Sequence, residues 1–225
     1  MTCNLVIFDC DGVLVDTEAA ANRHLVAELT QVGYPVSLEE CRRRFVGRAL
    51  WSIQQEIEAE AQIRFPPDWS EAVRTDLERV FDVVGVNPVP GAQAAVRALQ
   101  DAGLPCCVAS SGRMSKMRKT LGLTGLLPML QDVLFSADMV ANGKPAPDLF
   151  LYAAAAMGVL PRNAVVVEDS VPGAIAGSAA GMRVFGYVGD PETDAAGLDA
   201  HGAHLFDDMT DLPRLIADNA ALPPD

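Results

Sequence analysis

The chain has 225 residues, of which 50% are hydrophobic and 21% are charged, and this is the composition of a globular protein rather than of a disordered or fibrous one. Its 30 acidic and 17 basic residues give a net charge of −13, which opposes binding to nucleic acid and to anionic membrane surfaces. The five cysteines include no C-x-x-C pair, and no apolar segment approaches the roughly 18 residues of a membrane span, so we expect a cytoplasmic protein with reduced thiols.

The first predicted element is a short buried strand over Asn4–Phe8, which runs directly into the acidic turn Asp9-Cys10-Asp11-Gly12. The residues from about 16 to 81 then show helical periodicity and little strand character. The predicted helices of this stretch are Thr17–Val32, a helix opened by a capping box at Ser37–Glu40, Ala49–Ala61 and Asp68–Val83.

Beyond Gly91 the pattern changes to strands that alternate with helices. The predicted strands are Pro105–Ala109, Asp132–Phe135, Ala164–Val167, Arg183–Tyr187 and His204–Phe206, and the predicted helices are Ala92–Ala102, Arg113–Leu121, Pro147–Met157, Pro172–Ala180 and Asp211–Ala217. This alternation predicts an α/β fold with a Rossmann-like parallel sheet, formed by residues 1–15 and 88–225. Residues 16–87 would form a small all-helical cap domain, inserted after the first strand and over the sheet edge where ligands bind in such folds.

Four polar motifs lie at or just beyond the ends of predicted strands. Alternation along an extended segment puts Asp9 and Asp11 on one side, which suits a nucleophile beside a general acid/base or a hard cation, but also a turn with Asx hydrogen bonds. Ser110-Ser111-Gly112 offers hydroxyl and backbone N–H groups to a phosphate. Ser110 and Ser111 are therefore candidate substrate-binding residues, unless Ser111 is only the N-cap of the next helix.

The other two motifs supply a cation and two further carboxylates. Lys144, inside a Gly-Lys-Pro triplet, is one of three lysines in the chain, and it could neutralise an aspartate and a phosphoryl oxygen or be a solvated loop lysine. Glu168 and Asp169 end an apolar strand, where carboxylates are well placed to hold Mg²⁺. The alternative is that Asp169 or Ser170 caps the following helix.

Together, the order, spacing and strand context of these motifs resemble the haloacid dehalogenase superfamily over nearly the whole chain. The matching segments are Asp9-Cys10-Asp11-Gly12-Val13, Ser110, Gly143–Asp148 around Lys144, and Glu168-Asp169-Ser170 with Gly173. The most similar subgroup carries a helical cap after the first strand and includes β-phosphoglucomutases and many sugar-phosphate phosphatases. The resemblance implies that subgroup's fold and a phosphoryl-transfer reaction.

The resemblance also implies a role for each matching residue. Asp9 would attack phosphorus and become a transient aspartyl phosphate, and Asp11 would protonate the leaving alcohol and then activate water. Ser110 and Lys144 would hold the phosphoryl oxygens. These roles agree with the general need of phosphoryl transfer for an in-line nucleophile and for positive charge around the equatorial oxygens.

A magnesium site is implied at the same place. Mg²⁺ would be bound by the Asp9 carboxylate, the Asp11 backbone carbonyl and the Asp169 carboxylate, and Glu168 would assist through bound water. Oxygen ligands of this kind are those that Mg²⁺ prefers.

Departures from the subgroup favour hydrolysis over isomerisation. Compared with the β-phosphoglucomutases that it resembles, the chain has Ala21 where they have a histidine, and their cap lysine has no counterpart. The arginine with which the mutases bind a second phosphate aligns near Leu50. Arg48 is a candidate for binding an anionic group of the substrate. Arg42–Arg44 could do the same, but a solvated helix face paired with the glutamates of the same helix is the simpler interpretation.

We therefore predict a phosphoric monoester hydrolase that depends on Mg²⁺ and acts on a small sugar phosphate or sugar-acid phosphate through an aspartyl phosphate. Two alternatives stay open, a phosphomutase of the β-phosphoglucomutase type and a non-catalytic phosphometabolite-binding protein. The expected partner is a small phosphorylated metabolite, not nucleic acid or a membrane, and we expect a monomer or a weak homodimer. The cap would open and close about hinges at Leu14–Thr17 and Gly85–Gly91.

Overall fold

The computed structural model describes residues 3–45 and 50–220. Within these residues the chain forms eight strands, β1 Leu5–Phe8, β2 Val15–Asp16, β3 Asn87–Pro88, β4 Cys106–Ser110, β5 Leu134–Ser136, β6 Ala164–Glu168, β7 Arg183–Tyr187 and β8 His204–Phe206. The α-helices of the same residues are α1 Glu18–Gln31, α2 Leu38–Phe45, α3 Leu50–Ala61, α4 Trp69–Val84, α5 Ala92–Asp101, α6 Met114–Leu123, α7 Leu127–Leu130, α8 Asp148–Ala156, α9 Val171–Ala179, α10 Ala195–Ala200 and α11 Leu212–Ala220. None of the described helices is long and apolar enough to cross a bilayer.

The larger part of the structure is built on one six-stranded sheet, in the order β5-β4-β1-β6-β7-β8. All neighbouring pairs are parallel, and in the centre Val6 of β1 lies opposite Cys106 of β4 and Val165 of β6. The crossovers run from β1 towards β5 and then in the other direction from β6 to β8, so β1 lies at a topological switch point. The carboxyl ends of β1, β4 and β6 therefore meet at the sheet edge where ligands bind in folds of this kind. This confirms the predicted α/β fold.

One face of the sheet packs against α8 and α9. Leu5 and Ile7 point to this face and belong to a buried cluster that includes Phe150 of α8 and Ala174 of α9. All four residues of β1 are fully buried, because both faces of the strand are covered. This is why β1 is a continuous apolar run rather than an alternating one, and it holds the following turn on a rigid support.

The chain forms two compact units. Within the described residues, one unit ends at Asp16 and resumes at Asn87, and the other is Thr17–Val86. The regular structure described in the second unit is helical, and α1 to α4 enclose an apolar cluster that includes Leu29, Ile57 and Trp69. The helical insertion after the first strand is as predicted from the sequence.

Short elements are where the structure differs from the sequence-based prediction. The strands predicted along the sheet are present with ends shifted by at most two residues, but β2, β3, α7 and α10 were not expected. β2 and β3 have two residues each, too few for an alternating pattern. Helix α10 has no apolar stripe, and begins where the Asp194 side chain accepts a hydrogen bond of 2.8 Å from Gly197 N. The predicted helix start at Ala49 lies outside the described residues.

The basic cluster on α2 is only partly a solvated face. The Arg44 side chain is 18% exposed, and its guanidinium lies 3.3 Å from Glu40, 2.8 Å from Glu56 and 2.6 Å from Glu60. It also donates a hydrogen bond of 2.7 Å to the Tyr34 hydroxyl. The pair with Glu40 is as predicted, whereas the bonds to the two glutamates of α3 join residues distant in sequence. Arg44 therefore links α2 to α3.

We expect Arg44→Met to destabilise the second unit by about 1–3 kcal/mol, because three carboxylates then lie together without the guanidinium. The two tryptophans of the chain, Trp51 and Trp69, lie in this unit, so their fluorescence during urea unfolding measures the loss. The matched control is Arg74→Met, since its ion pair with Glu71 is half exposed, and its loss should cost less than about 0.5 kcal/mol. Equal effects of the two substitutions would contradict the expectation.

Candidate active site

The turn after β1 presents two carboxylates in unequal environments. Asp9 is 7% exposed, and its backbone N–H continues the ladder to β6 by donating to Val167 O at 2.9 Å. The Asp11 side chain is 28% exposed. Two neighbouring carboxylates, one withdrawn from water and the other in contact with water, can have different roles in a reaction.

Lys144 joins Asp9 to the end of β6. Its Nζ lies 2.5 Å from Asp9 Oδ1 and 2.5 Å from Glu168 Oε1, and its side chain is 4% exposed. The other oxygen of Glu168 accepts hydrogen bonds from the backbone N–H groups of Asp169 and Ser170 and from the Ser170 hydroxyl. The alternative of a solvated loop lysine is therefore wrong, because both partners of Lys144 are buried with it.

Burial and crowded charge shape the titration of this pair. Burial raises the pKa of Asp9; the Lys144 ammonium lowers it, the charges of Glu168 and Asp11 raise it, and the result is about 7. Burial lowers the pKa of Lys144, but the charges of Asp9 and Glu168 outweigh that effect and raise it above its usual range. The lysine therefore stays charged, and additional positive charge would favour the anionic form of Asp9.

Strand β4 ends at Ser110, which is 2% exposed. Its Oγ accepts a hydrogen bond of 3.1 Å from Gly112 N, and Ser136 Oγ of β5 donates one of 2.9 Å to Gly112 O. These bonds fix the loop between β4 and α6. Ser111 is exposed, and the alternative that it caps α6 is wrong, because the N-cap position of α6 is Arg113.

Two glycines allow the carboxylates of Glu168 and Asp169 to lie close to the backbone of neighbouring segments. Gly12 has a φ of +78°, and a side chain there would collide with the Asp169 carboxylate, so both conformation and space require glycine. A side chain at Gly173 would collide with the carboxyl group of Glu168. Ser170 is the N-cap of α9 and accepts a hydrogen bond of 3.2 Å from Gly173 N, which confirms the capping alternative for this serine.

The residues at this sheet edge fit a divalent cation. The cluster contains four carboxylates and two ammonium groups, Asp9, Asp11, Glu168 and Asp169 with Lys116 and Lys144. This excess of hard, negatively charged oxygens suits Mg²⁺. Among residues 3–45 and 50–220, no three His, Cys, Asp or Glu side chains form a metal-binding group on their own.

Sequence reasoning does not identify Lys116, which contacts the second carboxylate of the turn. Its Nζ lies 2.9 Å from Asp11 Oδ2. Burial lowers the pKa of Lys116, but the charge of Asp11 outweighs that effect and raises it. A signal was available, because Lys116 lies in the first turn of α6, where the helix dipole disfavours a cation. The remaining predicted site residue, Arg48, lies outside the described residues.

Comparison with known proteins gives three informative matches beside the family. Residues 3–181 match the family model of haloacid dehalogenase-like hydrolases. The chain is 36% identical over 187 residues to 6-phosphogluconate phosphatase of Escherichia coli (strain K12), covering 83% of each chain. It is 31% identical over 186 residues to hexitol phosphatase A of the same organism, covering 82% of this chain and 83% of the relative. A crystal structure of a HAD family hydrolase from Deinococcus radiodurans R1 with bound phosphate and sodium has a TM-score of 0.84 and 30% identity, covering 99% of both chains.

The parallel sheet with its carboxyl-edge cluster and the phosphatases among the relatives define a phosphoric monoester hydrolase. The chain belongs to the haloacid dehalogenase-like hydrolase family. The predictions of this family, of its fold and of an enzyme of this class are confirmed.

Proposed function

We propose that this enzyme is a Mg²⁺-dependent phosphatase that hydrolyses a small sugar phosphate or sugar-acid phosphate through an aspartyl-phosphate intermediate. The observation that carries the proposal is the buried bridge in which Lys144 Nζ lies 2.5 Å from both Asp9 Oδ1 and Glu168 Oε1. An ammonium group at this position favours an anionic Asp9 and offers positive charge to a phosphoryl oxygen. Relatives named for 6-phosphogluconate and for hexitols support the substrate class.

Asp9 and Asp11 carry the two half-reactions in this proposal. An Asp9 carboxylate oxygen forms a bond to phosphorus while the bond from phosphorus to the alcohol oxygen breaks, and that oxygen keeps the electron pair and takes a proton from Asp11. A water oxygen then bonds to phosphorus and gives a proton to Asp11, and the bond to Asp9 breaks to restore the carboxylate. The burial of Asp9 and the 28% exposure of the Asp11 side chain support this division.

The other residues of the site bind the phosphoryl group and the metal ion, and position the groups that do so. Ser110 and Lys144 bind the phosphoryl oxygens that do not react. The Asp9 carboxylate, the Asp11 backbone carbonyl and the Asp169 carboxylate hold Mg²⁺, which when bound adds positive charge for the phosphoryl group. Glu168 positions Lys144, because both of its oxygens accept hydrogen bonds in the structure.

We also propose roles for two further side chains and for the helical insertion. Ser111 contributes to binding the phosphoryl group through its exposed hydroxyl, and Arg48 binds an anionic group of the substrate. Residues 16–87 act as the cap that excludes bulk water during the reaction. The metal role predicted for Glu168 also stays a prediction.

We expect phosphate release to require Mg²⁺ and to be confined to one or two sugar or sugar-acid phosphates. The test is a panel of 6-phosphogluconate, hexitol, hexose and pentose phosphates, phosphoglycolate and β-glucose 1-phosphate, with chelator and with Mg²⁺ added back. Tryptophan fluorescence checks that the chelated protein is folded. Isomerisation of β-glucose 1-phosphate without phosphate release would establish a mutase instead, and binding without turnover would establish the non-catalytic protein.

A further inference from the structure

Helix α6 contacts the Asp9–Asp11 turn through Lys116, which lies in the first turn of the helix. Lys116 Nζ donates a hydrogen bond of 2.9 Å to Asp11 Oδ2. The Thr120 hydroxyl, four residues on and fully buried, donates a hydrogen bond of 3.1 Å to Lys116 O.

The loop before α6 leaves space for the lysine to reach Asp11. A Cβ at Gly112 would lie 3.4 Å from Ser110 Oγ, 3.6 Å from Asp11 Oδ2 and 3.7 Å from Lys116 Cδ. The space beside the Gly112 Cα atom is therefore bounded by the Ser110 hydroxyl, the Asp11 carboxylate and the aliphatic part of Lys116. Asp11 Oδ2 is held in a packed position between this loop and α6.

We propose that Lys116 is a positioning residue that orients Asp11 for proton transfer, an inference that rests on the function proposed above. Because Oδ2 accepts the hydrogen bond from Lys116, the proton that Asp11 exchanges is carried by Oδ1. Lys116 thereby selects the oxygen that faces the leaving alcohol in the first half-reaction and the attacking water in the second.

Stability alone does not account for this lysine. The side chains of Lys116 and Asp11 are 27% and 28% exposed, and ion pairs in contact with water contribute little to folding. A lysine in the first turn of a helix also opposes the helix dipole. Lys116 therefore lies where its charge destabilises the helix and where its ammonium group contacts Asp11.

The test compares leaving groups that need a proton to different degrees. With the best sugar phosphate of the panel, Lys116→Met should lower kcat by about 10- to 100-fold with KM within about twofold, because proton transfer to an alkoxide is impaired. In single turnovers with excess enzyme, release of 4-nitrophenol from 4-nitrophenyl phosphate should slow by less than about threefold, since this leaving group is stable as an anion. Lys116→Arg, which keeps a charged donor, should recover part of kcat.

Lys119→Met is the matched control, because it removes a lysine from the same helix, and it should keep wild-type kinetics. Thermal melting should show little change for either variant. Equal slowing with both leaving groups together with a raised KM would mean that Lys116 binds the phosphoryl group, and would overturn the inference. An unchanged or faster Lys116→Met enzyme would overturn it as well while leaving the phosphatase intact, whereas a wild-type enzyme inactive on the whole panel would overturn both proposals.

Discussion

Replacing Asp9 by asparagine should reduce kcat for phosphate release by about 10⁴-fold or more, because the amide offers no anionic oxygen to attack phosphorus. Asparagine has nearly the size of aspartate, so the packing around the turn after β1 should persist. Wild-type enzyme quenched with acid during turnover should carry a phosphoryl group on Asp9, detectable by mass spectrometry, and the variant should carry none.

The same substitution should change how the stability of the metal-free protein depends on pH. Burial and the charges of Glu168 and Asp11, opposed by Lys144, raise the pKa of Asp9 from 3.8 to about 7. Between pH 3.8 and about pH 7 the folded state holds a proton on Asp9 that the unfolded chain has released. Protonation of Asp9 therefore stabilises the folded state relative to high pH. This stabilisation is full below pH 3.8 and is lost as the pH rises through about 7. Asp9→Asn should remove this fall in the urea midpoint, measured with chelator below, within and above the window.

Asp132→Asn is the control, because it makes the same chemical change at an exposed position of the same unit. It should keep wild-type turnover and the wild-type pH dependence of stability. An Asp9→Asn enzyme that retains more than about 1% of wild-type kcat would exclude Asp9 as the nucleophile.

The sequence predicts this fold well where the signal is local. β1 is an apolar run because both of its faces are buried, and the acidic turn follows where that run stops. Ser110 and Glu168 are the last residues of β4 and β6, which flank β1 in the sheet, so predicting parallel βαβ units already brings them to one edge.

The side-chain contacts that the sequence does not predict join residues that are far apart in the chain. Lys144 reaches Asp9 across 135 residues, and Lys116 reaches Asp11 across 105, so the residues around each lysine do not show which carboxylate it contacts. Arg44 shows the same limit in the second unit, since only its bond to Glu40 has helical spacing. The charge of these side chains follows from the residue type, but their burial depends on how the helices and strands pack.

Replacing Lys144 by methionine should damage both turnover and folding, because the buried Asp9 and Glu168 carboxylates lose the cation between them. We expect kcat to fall by about 10³-fold, the loss typical of a removed group that stabilises charge in the transition state. Unfolding above pH 7 should be easier by about 3–5 kcal/mol, as for a buried ion pair that loses one partner. The stability loss should shrink as pH falls, since the Lys144 charge lowers the pKa of Asp9 and its removal lets the carboxyl stay protonated to higher pH.

A second substitution separates the two effects of Lys144. In Lys144→Met/Glu168→Gln the negative charge of Glu168 is also removed, so much of the stability should return at neutral pH, whereas turnover should not, because the phosphoryl group still lacks the ammonium. Lys119→Met, which removes another lysine of the same unit, should leave both properties unchanged. If the double variant regained turnover together with stability, Lys144 would serve only to neutralise buried carboxylates, and the positive charge at the phosphoryl group would have to come from elsewhere in the site.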